Sequence, residues 1–555
     1  MHGTEYALYQ SVVAAFDGDT PVPFYRLPGS SPRVERALGR EFLVVDPTML
    51  TALSERVFAD IQFRLRPSFL SQLAAVAHDA GAVERDRYVA GALLENAMIG
   101  SAGVFPLCQD TGTASVYGWK GDRVLVDAPE DDQSLLERGM LAAWKTRRLR
   151  NSQVAPLLSF GERNTGDNAP LSAHLSSVRG DAYHFLFVAK GGGSANKTAL
   201  FQETKSLLRP DAFAAFIKRA IQALGVSACP PYRIAIVVGG QSAEESTLAA
   251  KLASAGALDA LPSQPEPQGG PYRDRQMERM VMDAASLCGW GAQFGGRFMA
   301  RDARVVRLPR HAASLPVAVA VSCSAHRQAY ARIDRDGCFV ERLADAASLS
   351  RIIDADNTGT ATVPQAAPCG ARRLQLAAAS DPEAEATMMS LRSGELVELW
   401  GPVVLARDAA HARLQSMIEN GETLPEWTRY PFFYASPTET PEGHVVGSIG
   451  PTTSKRMDSY LETLMAHGIS RITIGKGERG PACRTACAIH HGVYLAAVGG
   501  AAALAASRHV TASTIIDWPE LGMEAIRLVQ LAGLPALVVV DSHGTDYYAL
   551  MAPAE

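Results

Sequence analysis

The stretch Asp356-Asn-Thr-Gly-Thr-Ala-Thr-Val-Pro-Gln-Ala-Ala-Pro368 divides the chain. It holds turn formers and almost nothing to bury, so it reads as a linker between two packed segments. On its amino-terminal side, Thr48 to about Ala102 has helical apolar spacing (Phe69, Leu70, Leu73, Ala74, Val76), while Ile234 to Val238 and Leu315 to Val321 read as buried strands. On its carboxyl-terminal side, strand-like runs at Gly394 to Leu405, Ser470 to Ile474 and Leu534 to Val540 alternate with helical stretches at Arg456 to Ala466 and Leu521 to Leu531. The expected architecture is therefore α/β and α+β in two modules. A larger, mixed N-terminal module covers 1–355, a linker 356–370, and a smaller C-terminal α/β module of the swivelling type 371–555.

A chain of 555 residues exceeds what one core supports, so at least two cores are expected. With 47% hydrophobic and 20% charged residues it reads as an ordinary compact protein, not a disordered or fibrous one. The formal charge of -5, with no lysine- or arginine-rich run, lacks the basic stripe that phosphate backbones require, which argues against a nucleic-acid partner. Met1 to Thr20 has neither a basic start nor an apolar core, so no secretory signal is read there and a cytoplasmic location is expected. Val493 to Ala506 is alanine- and glycine-rich and falls short of the ~20 residues needed to span a bilayer. It reads as a close-packed helix, with no membrane partner. Eight cysteines without a tight framework argue for thiols, ligands or core residues rather than disulfides.

Three of these cysteines lie far apart, each in a polar context with glycine or proline: Pro106-Leu-Cys108-Gln109-Asp110-Thr-Gly112-Thr, Ala228-Cys229-Pro-Pro-Tyr232 and Ser322-Cys323-Ser-Ala325. Three thiolates can hold a four-iron cluster and leave one iron free as a Lewis acid for hydroxyl and carboxylate oxygens, an arrangement that is also oxygen-sensitive. Taken singly, each thiol reads first as a buried structural cysteine, and only the three contexts together point to ligation. Cys288, Cys338, Cys369, Cys483 and Cys487 need no special role. Zinc at Cys483, Cys487, His490 and His491 does not match the usual two-pair spacing.

Two further groups of residues suit an anion. Lys190-Gly-Gly-Gly193-Ser-Ala-Asn196-Lys197-Thr198 follows the apolar run Phe185 to Ala189 and is expected to open a helix, so its amides could cradle a carboxylate. Asn196 stands where the nucleoside-triphosphate motif G-x-x-x-x-G-K-[ST] requires glycine, yet a nucleotide-binding module using Lys197 and Thr198 remains the competing class. In the second half, Thr452 and Arg456 lie four residues apart at an expected helix start, and Arg407 and Lys476 sit where strand-like runs meet loops. Singly these are solvated charges. Together they suit a dicarboxylate, since each charge-assisted hydrogen bond is worth roughly 1.5–3 kcal/mol. His311, ahead of the Cys323 strand, reads as a proton donor behind the site or as a core histidine.

The ordered motifs Cys108-Gln-Asp-Thr-Gly-Thr113, Ala189-Lys-Gly-Gly-Gly-Ser-Ala-Asn-Lys197, Ala228-Cys-Pro-Pro-Tyr232, Gly291-Ala-Gln-Phe-Gly-Gly296, Leu308-Pro-Arg-His311, Val321-Ser-Cys-Ser-Ala325, Gly450-Pro-Thr-Thr453, Arg456-Met-Asp-Ser-Tyr460 and Pro519-Glu-Leu-Gly-Met-Glu-Ala525 span the chain. On these the chain resembles the class I, iron–sulfur-dependent fumarate hydratases, single-chain form. The resemblance implies a homodimer with a four-iron four-sulfur cluster on Cys108, Cys229 and Cys323. It implies a small dicarboxylate substrate surrounded by Gln109, Asp110, Arg150, Gly193, Arg407, Thr452, Arg456 and Lys476. Asp110 and Thr452 would be the acid/base pair, Lys476 would stabilise developing charge, and His311 would lie near the proton path. The implied reaction is reversible hydration of fumarate to (S)-malate. Thr453-Ser-Lys-Arg456 and Gly475-Lys-Gly-Glu-Arg479 are closer to the two-subunit branch with its tartrate dehydratases, so mesaconate (methylfumarate) hydration and tartrate dehydration are the alternatives.

Overall fold

The computed structural model describes residues 4–17, 22–29, 31–267, 269–354, 370–378 and 382–551. Except for Gly370, the expected linker lies outside these residues. The fold is mixed α/β, and its sheets segregate along the chain. Strands up to Glu341 build a six-stranded and a five-stranded sheet and two small ones of three and two strands, while every strand from Arg372 onward belongs to one seven-stranded sheet.

The centre of the five-stranded sheet is the pair Tyr232–Gly240 and Leu315–Ser322, every residue of which is buried. Continuous valine, isoleucine and alanine runs are what a strand covered on both faces requires. The pair is antiparallel with Arg233 opposite Ser322, so the start of one strand and the end of the other share an edge. That register brings Cys229, just ahead of the first strand, and Cys323, just behind the second, to the same end of the sheet. In the six-stranded sheet, Thr113–Gly121 runs antiparallel to Tyr183–Lys190 with Thr113 opposite Lys190. The Cys108–Gly112 segment and the Gly191–Gly193 turn therefore also meet. The chain from Cys323 to Arg327 crosses between the two sheets, and Arg327 O accepts the Ala189 N–H at 3.0 Å.

The seven-stranded sheet closes on itself. The long strand Ile526–Val540 pairs with Val510–Asp517 and Val493–Ala497 on one edge and with Leu396–Leu405 on the other. Leu396–Leu405, Phe432–Phe433, Ile472–Gly475 and Val493–Ala497 are mutually parallel, so their carboxyl ends point the same way. Loops beyond such ends are the usual address of a ligand site. Here they carry Arg407, Lys476 and Gly499. The largest core joins the two halves: Leu65, Phe69, Leu93 and Phe294 pack in one cluster with Tyr494, Leu537, Val539 and Tyr547.

Three expectations are corrected. Leu521 to Leu531 is a 3-10 turn, Pro519–Glu524, followed by the start of the long strand, because its apolar residues pair across two strands instead of lining one helix face. Val493 to Ala506 is a strand over Val493–Ala497 and becomes helical only from Ala502, since an alanine–glycine run carries no periodicity to distinguish the two. The glycine turn after Lys190 opens only a four-residue helix, Gly192–Ala195, and then the strand Ala199–Glu203. No helix among the described residues is long and apolar enough to cross a membrane.

Candidate active site

The four loops described above place Cys108, Cys229 and Cys323 within mutual electrostatic reach and around one cation. Lys476 Nζ lies 2.8 Å from Cys229 Sγ. Burial works against the charge on Lys476, but the sulfurs of Cys229, Cys108 and Cys323 more than offset it and hold its pKa above the usual lysine value. Burial pushes the Cys229 thiol up to about 11 against the pull of Lys476, and raises Cys108 as well. Cys229 adopts φ +63°, a left-handed conformation rare for a side-chain-bearing residue and common where function fixes the backbone.

The backbone around the sulfurs is built for close approach. A Cβ on Gly499 would collide with Cys229 Sγ and Lys476 Cδ, and one on Gly500 with Ser324 Oγ. Gln293, in a left-handed conformation with φ +126°, fastens this corner: its amide donates to Pro230 O and Gly499 O, both at 3.0 Å, and accepts from Gly499 N at 2.7 Å. Cys483 and Cys487, one helical turn apart, have sulfurs 3.9 Å from each other, while His490 pairs with Glu462. Among the described residues no three His, Cys, Asp or Glu side chains are close enough to hold a single metal ion. Cys108, Cys229 and Cys323 are thiols within electrostatic reach of one another, the donor type that iron–sulfur clusters take.

The Gly191–Gly193 turn does bind an anion, and the anion is Asp110: Gly192 N donates to Asp110 Oδ2 at 2.8 Å. Burial would raise the Asp110 pKa, but Arg150, Arg327 and the Gly192 N–H outweigh it and hold the group below the ordinary carboxylate range. Asp110 is therefore charged at neutral pH. Gln109 reaches across to the second half, donating to Pro451 O at 3.1 Å. Thr452 donates its hydroxyl hydrogen to Tyr434 O at 3.0 Å, which leaves its lone pairs for the site. Gly193 stands so close to the lysine that an added Cβ would lie 3.7 Å from Lys476 Nζ.

Arg150 and Arg407 come from opposite halves; Arg407 is buried and Arg150 half-buried. Burial, with Arg407 as a like charge, lowers the Arg150 pKa to about 10, Asp110 pulling the other way. Arg150 Nε and Arg407 Nε and Nη1 are buried donors without hydrogen-bond partners among the described residues. Such donors cost about 1–3 kcal/mol each unless an acceptor arrives. Arg407 Nη2 lies 3.4 Å from Glu524 Oε1, and Arg456, 46% exposed, pairs with Asp408 at 3.2 Å on the rim.

His311 is the expected residue that its own chain does not bring here. It is exposed in the turn before Leu315–Ser322, and that eight-residue strand separates it from Cys323 by roughly 25 Å. Lys197 does not face an anion either: its ammonium donates to Ala223 O at 3.2 Å and lies 3.7 Å from Glu478 Oε1. This geometry gives the nucleotide reading no support. The sequence assigns no role to Arg327, Gln293 or Glu478, although the last two stand inside the quoted motifs. Arg327 had one available signal, its position four residues after Cys323; it donates to Gln62 Oε1 at 2.8 Å beside Asp110.

The family model described as fumarate hydratase (fumerase) matches residues 51–332, and that described as fumarase C-terminus matches 347–551. The chain is 43% identical to fumarate hydratase 2 of Leishmania major over 95% of its own length and 91% of that protein. It is 42% identical to the anaerobic class I fumarate hydratase of Escherichia coli (strain K12), covering 92% of this chain and 91% of that one. A putative L(+)-tartrate dehydratase subunit beta of Methanocaldococcus jannaschii is 33% identical over 28% of this chain and 84% of its own length. With the sheet ends, the paired cationic loops and these similarities in agreement, the chain belongs to the class I fumarate hydratase family and is a hydro-lyase.

Proposed function

We propose that the protein reversibly hydrates fumarate to (S)-malate at the crevice between its amino-terminal loops and the carboxyl ends of the parallel strands. The observation that carries this reading is the pair of guanidinium groups with buried, unpartnered nitrogens, Arg150 and Arg407, within electrostatic reach of each other, with Asp110 and Lys476 close by. A dicarboxylate supplies the acceptors those donors lack. Cys108, Cys229 and Cys323 would hold a four-iron four-sulfur cluster, which when bound supplies Lewis acidity toward the hydroxyl group that is lost or added.

The chain's own groups account for the rest of the reaction. Arg150 and Arg407 clamp the carboxylates and orient the carbon chain, with Arg456 closing the rim. The proton at the carbon next to one carboxylate is moved by the pair Asp110 and Thr452. Asp110 is the charged member, kept deprotonated by Arg150, Arg327 and Gly192, and Thr452 is the neutral member that presents only oxygen lone pairs. As the proton leaves, negative charge builds on the adjacent carboxylate, and fixed cations that need no reorganisation stabilise it. Lys476 and the arginines are placed for that. The domain division at 356–370 and the homodimer belong to the same proposal.

Tartrate is the second reading, favoured by the similarity of 28% of the chain to a putative tartrate dehydratase subunit beta, with mesaconate beside it as the methylated substrate. These substrates differ by one hydroxyl or one methyl, which a pocket distinguishes by about 1–3 kcal/mol per apolar group and more per unpaired polar group. Anaerobically reconstituted protein assayed on fumarate, mesaconate and tartrate decides among them. Fumarate is expected to give the highest kcat/KM, and a higher value for tartrate or mesaconate would replace it. No turnover of any of the three, with iron and sulfide bound, would overturn the reading.

A further inference from the structure

Lys197, which looks in sequence like the lysine of a phosphate loop, is tied instead to Glu478, and Glu478 grips the turn that carries Cys229. Its Oε2 accepts the Val226 N–H at 2.9 Å and the Ser227 N–H at 3.1 Å, across 252 and 251 residues of chain. Lys197 Nζ lies 3.7 Å from the other oxygen, Oε1, with both side chains largely shielded at 16% and 22% exposure. The turn itself is tightly folded: Cys229 N donates to Val226 O at 3.1 Å, and Tyr232 Oη donates to Gly225 O at 3.0 Å. Gly225, at φ +54°, admits the carboxylate where any side chain would meet it. Two residues before Glu478, Lys476 reaches Cys229 Sγ from the other side. Tyr494 Oη holds the intervening Gly477 O at 3.0 Å.

The segment Lys476-Gly477-Glu478 thus closes a ring with Val226 to Cys229: one end holds the turn's amides, the other end meets its sulfur. We propose that Glu478, charge-paired with Lys197, is a positioning residue that sets Cys229 against Lys476 and so locks the metal-binding corner to the substrate-binding lysine. Lys197 supplies the balance: without it, an uncompensated carboxylate would stand near a thiolate and a dianionic substrate. The proposal rests on the reading of Cys229 as a ligand and Lys476 as a substrate cation, and its test separates the two.

The variants are Glu478→Ala, Glu478→Gln and Lys197→Met in the full chain, each compared with the parent after anaerobic reconstitution. Groups that hold a metal ligand from behind typically change affinity or activity 10–100-fold when removed. Glu478→Ala is accordingly expected to lose iron to a chelator at least about tenfold faster, with a raised KM and an altered electron paramagnetic spectrum of the oxidised cluster. Glu478→Gln retains an oxygen for the two amides, and is expected to restore cluster retention to within about threefold of the parent. Lys197→Met should fall between them. A parallel arm measures peptide-resolved alkylation of Cys229 in the metal-free chain, expected to be about tenfold faster in Glu478→Ala. A parent that binds no iron would sink the functional reading and leave this alkylation arm as the judge. Unchanged alkylation, retention and KM in Glu478→Ala would overturn the proposal, as would a lowered Tm in all three variants with these site readouts unmoved.

Discussion

Lys197 and Lys476 both stand in glycine-rich turns after a buried strand, and the fold gives them opposite tasks. Lys197 is taken up by Ala223 O and Glu478; burial lowers its pKa, and Glu478 only partly compensates. Lys476 is deeper, yet three sulfurs raise its pKa and keep it charged. In the Gly191–Gly193 turn, which looks designed for a substrate anion, the Gly192 amide holds Asp110 instead. A lysine's task is therefore set by what the other half of the chain places opposite it, and a glycine turn shows that an anion is bound without showing whose.

Breaking this contrast should produce a graded series. The largest effect is expected at Lys476: Lys476→Met should lower kcat by about 10²–10³, as for loss of one preorganised charge-stabilising donor, read by anaerobic steady-state kinetics with iron content confirmed. Next, Arg150→Ala and Arg407→Ala should each raise KM by about 10–100-fold, the loss of one charge-assisted pair to a carboxylate. Their double variant should cost more than the sum, because each single removal already relieves the one repulsion between the two guanidinium groups, which the sum then counts twice. Gly499→Ala, whose Cβ would press on Cys229 Sγ, should speed iron release to a chelator about tenfold. At the small end, Lys197→Met should change kcat by no more than about fivefold, the scale of a partly shielded ion pair. A larger loss at Lys197 than at Lys476 would invert the comparison.

The sequence was most readable where chemistry and burial coincide. Ile234 to Val238 and Leu315 to Val321 are strands because nothing polar interrupts them, and their antiparallel register is what carries Cys229 and Cys323 to one edge. Cys108, Asp110, Arg150, Arg407 and Lys476 come within electrostatic reach of one another, and Thr452 meets the same Lys476 loop across a backbone bridge. The strand at Ile526–Val540 was misread at its start because Leu528, Val529 and Leu531 satisfy helical and extended spacing alike. Glu478 and Gln293 stand inside quoted motifs, but their roles were illegible because their partners, Val226 and Gly499, lie more than 200 residues away and are backbone groups with no sequence signature. His311 shows the converse: its nearness to Cys323 in sequence is undone, within one chain, by the strand between them.

The central claim is that Cys108, Cys229 and Cys323 carry an incompletely ligated iron–sulfur centre beside the carboxylate clamp. Mössbauer spectroscopy of the anaerobically reconstituted, iron-57-enriched protein, recorded with and without fumarate, addresses it directly. The account predicts a four-iron spectrum in which a single iron site changes when the dicarboxylate is added. Spectra with no cluster, or a cluster whose iron sites are all indifferent to substrate, would contradict it.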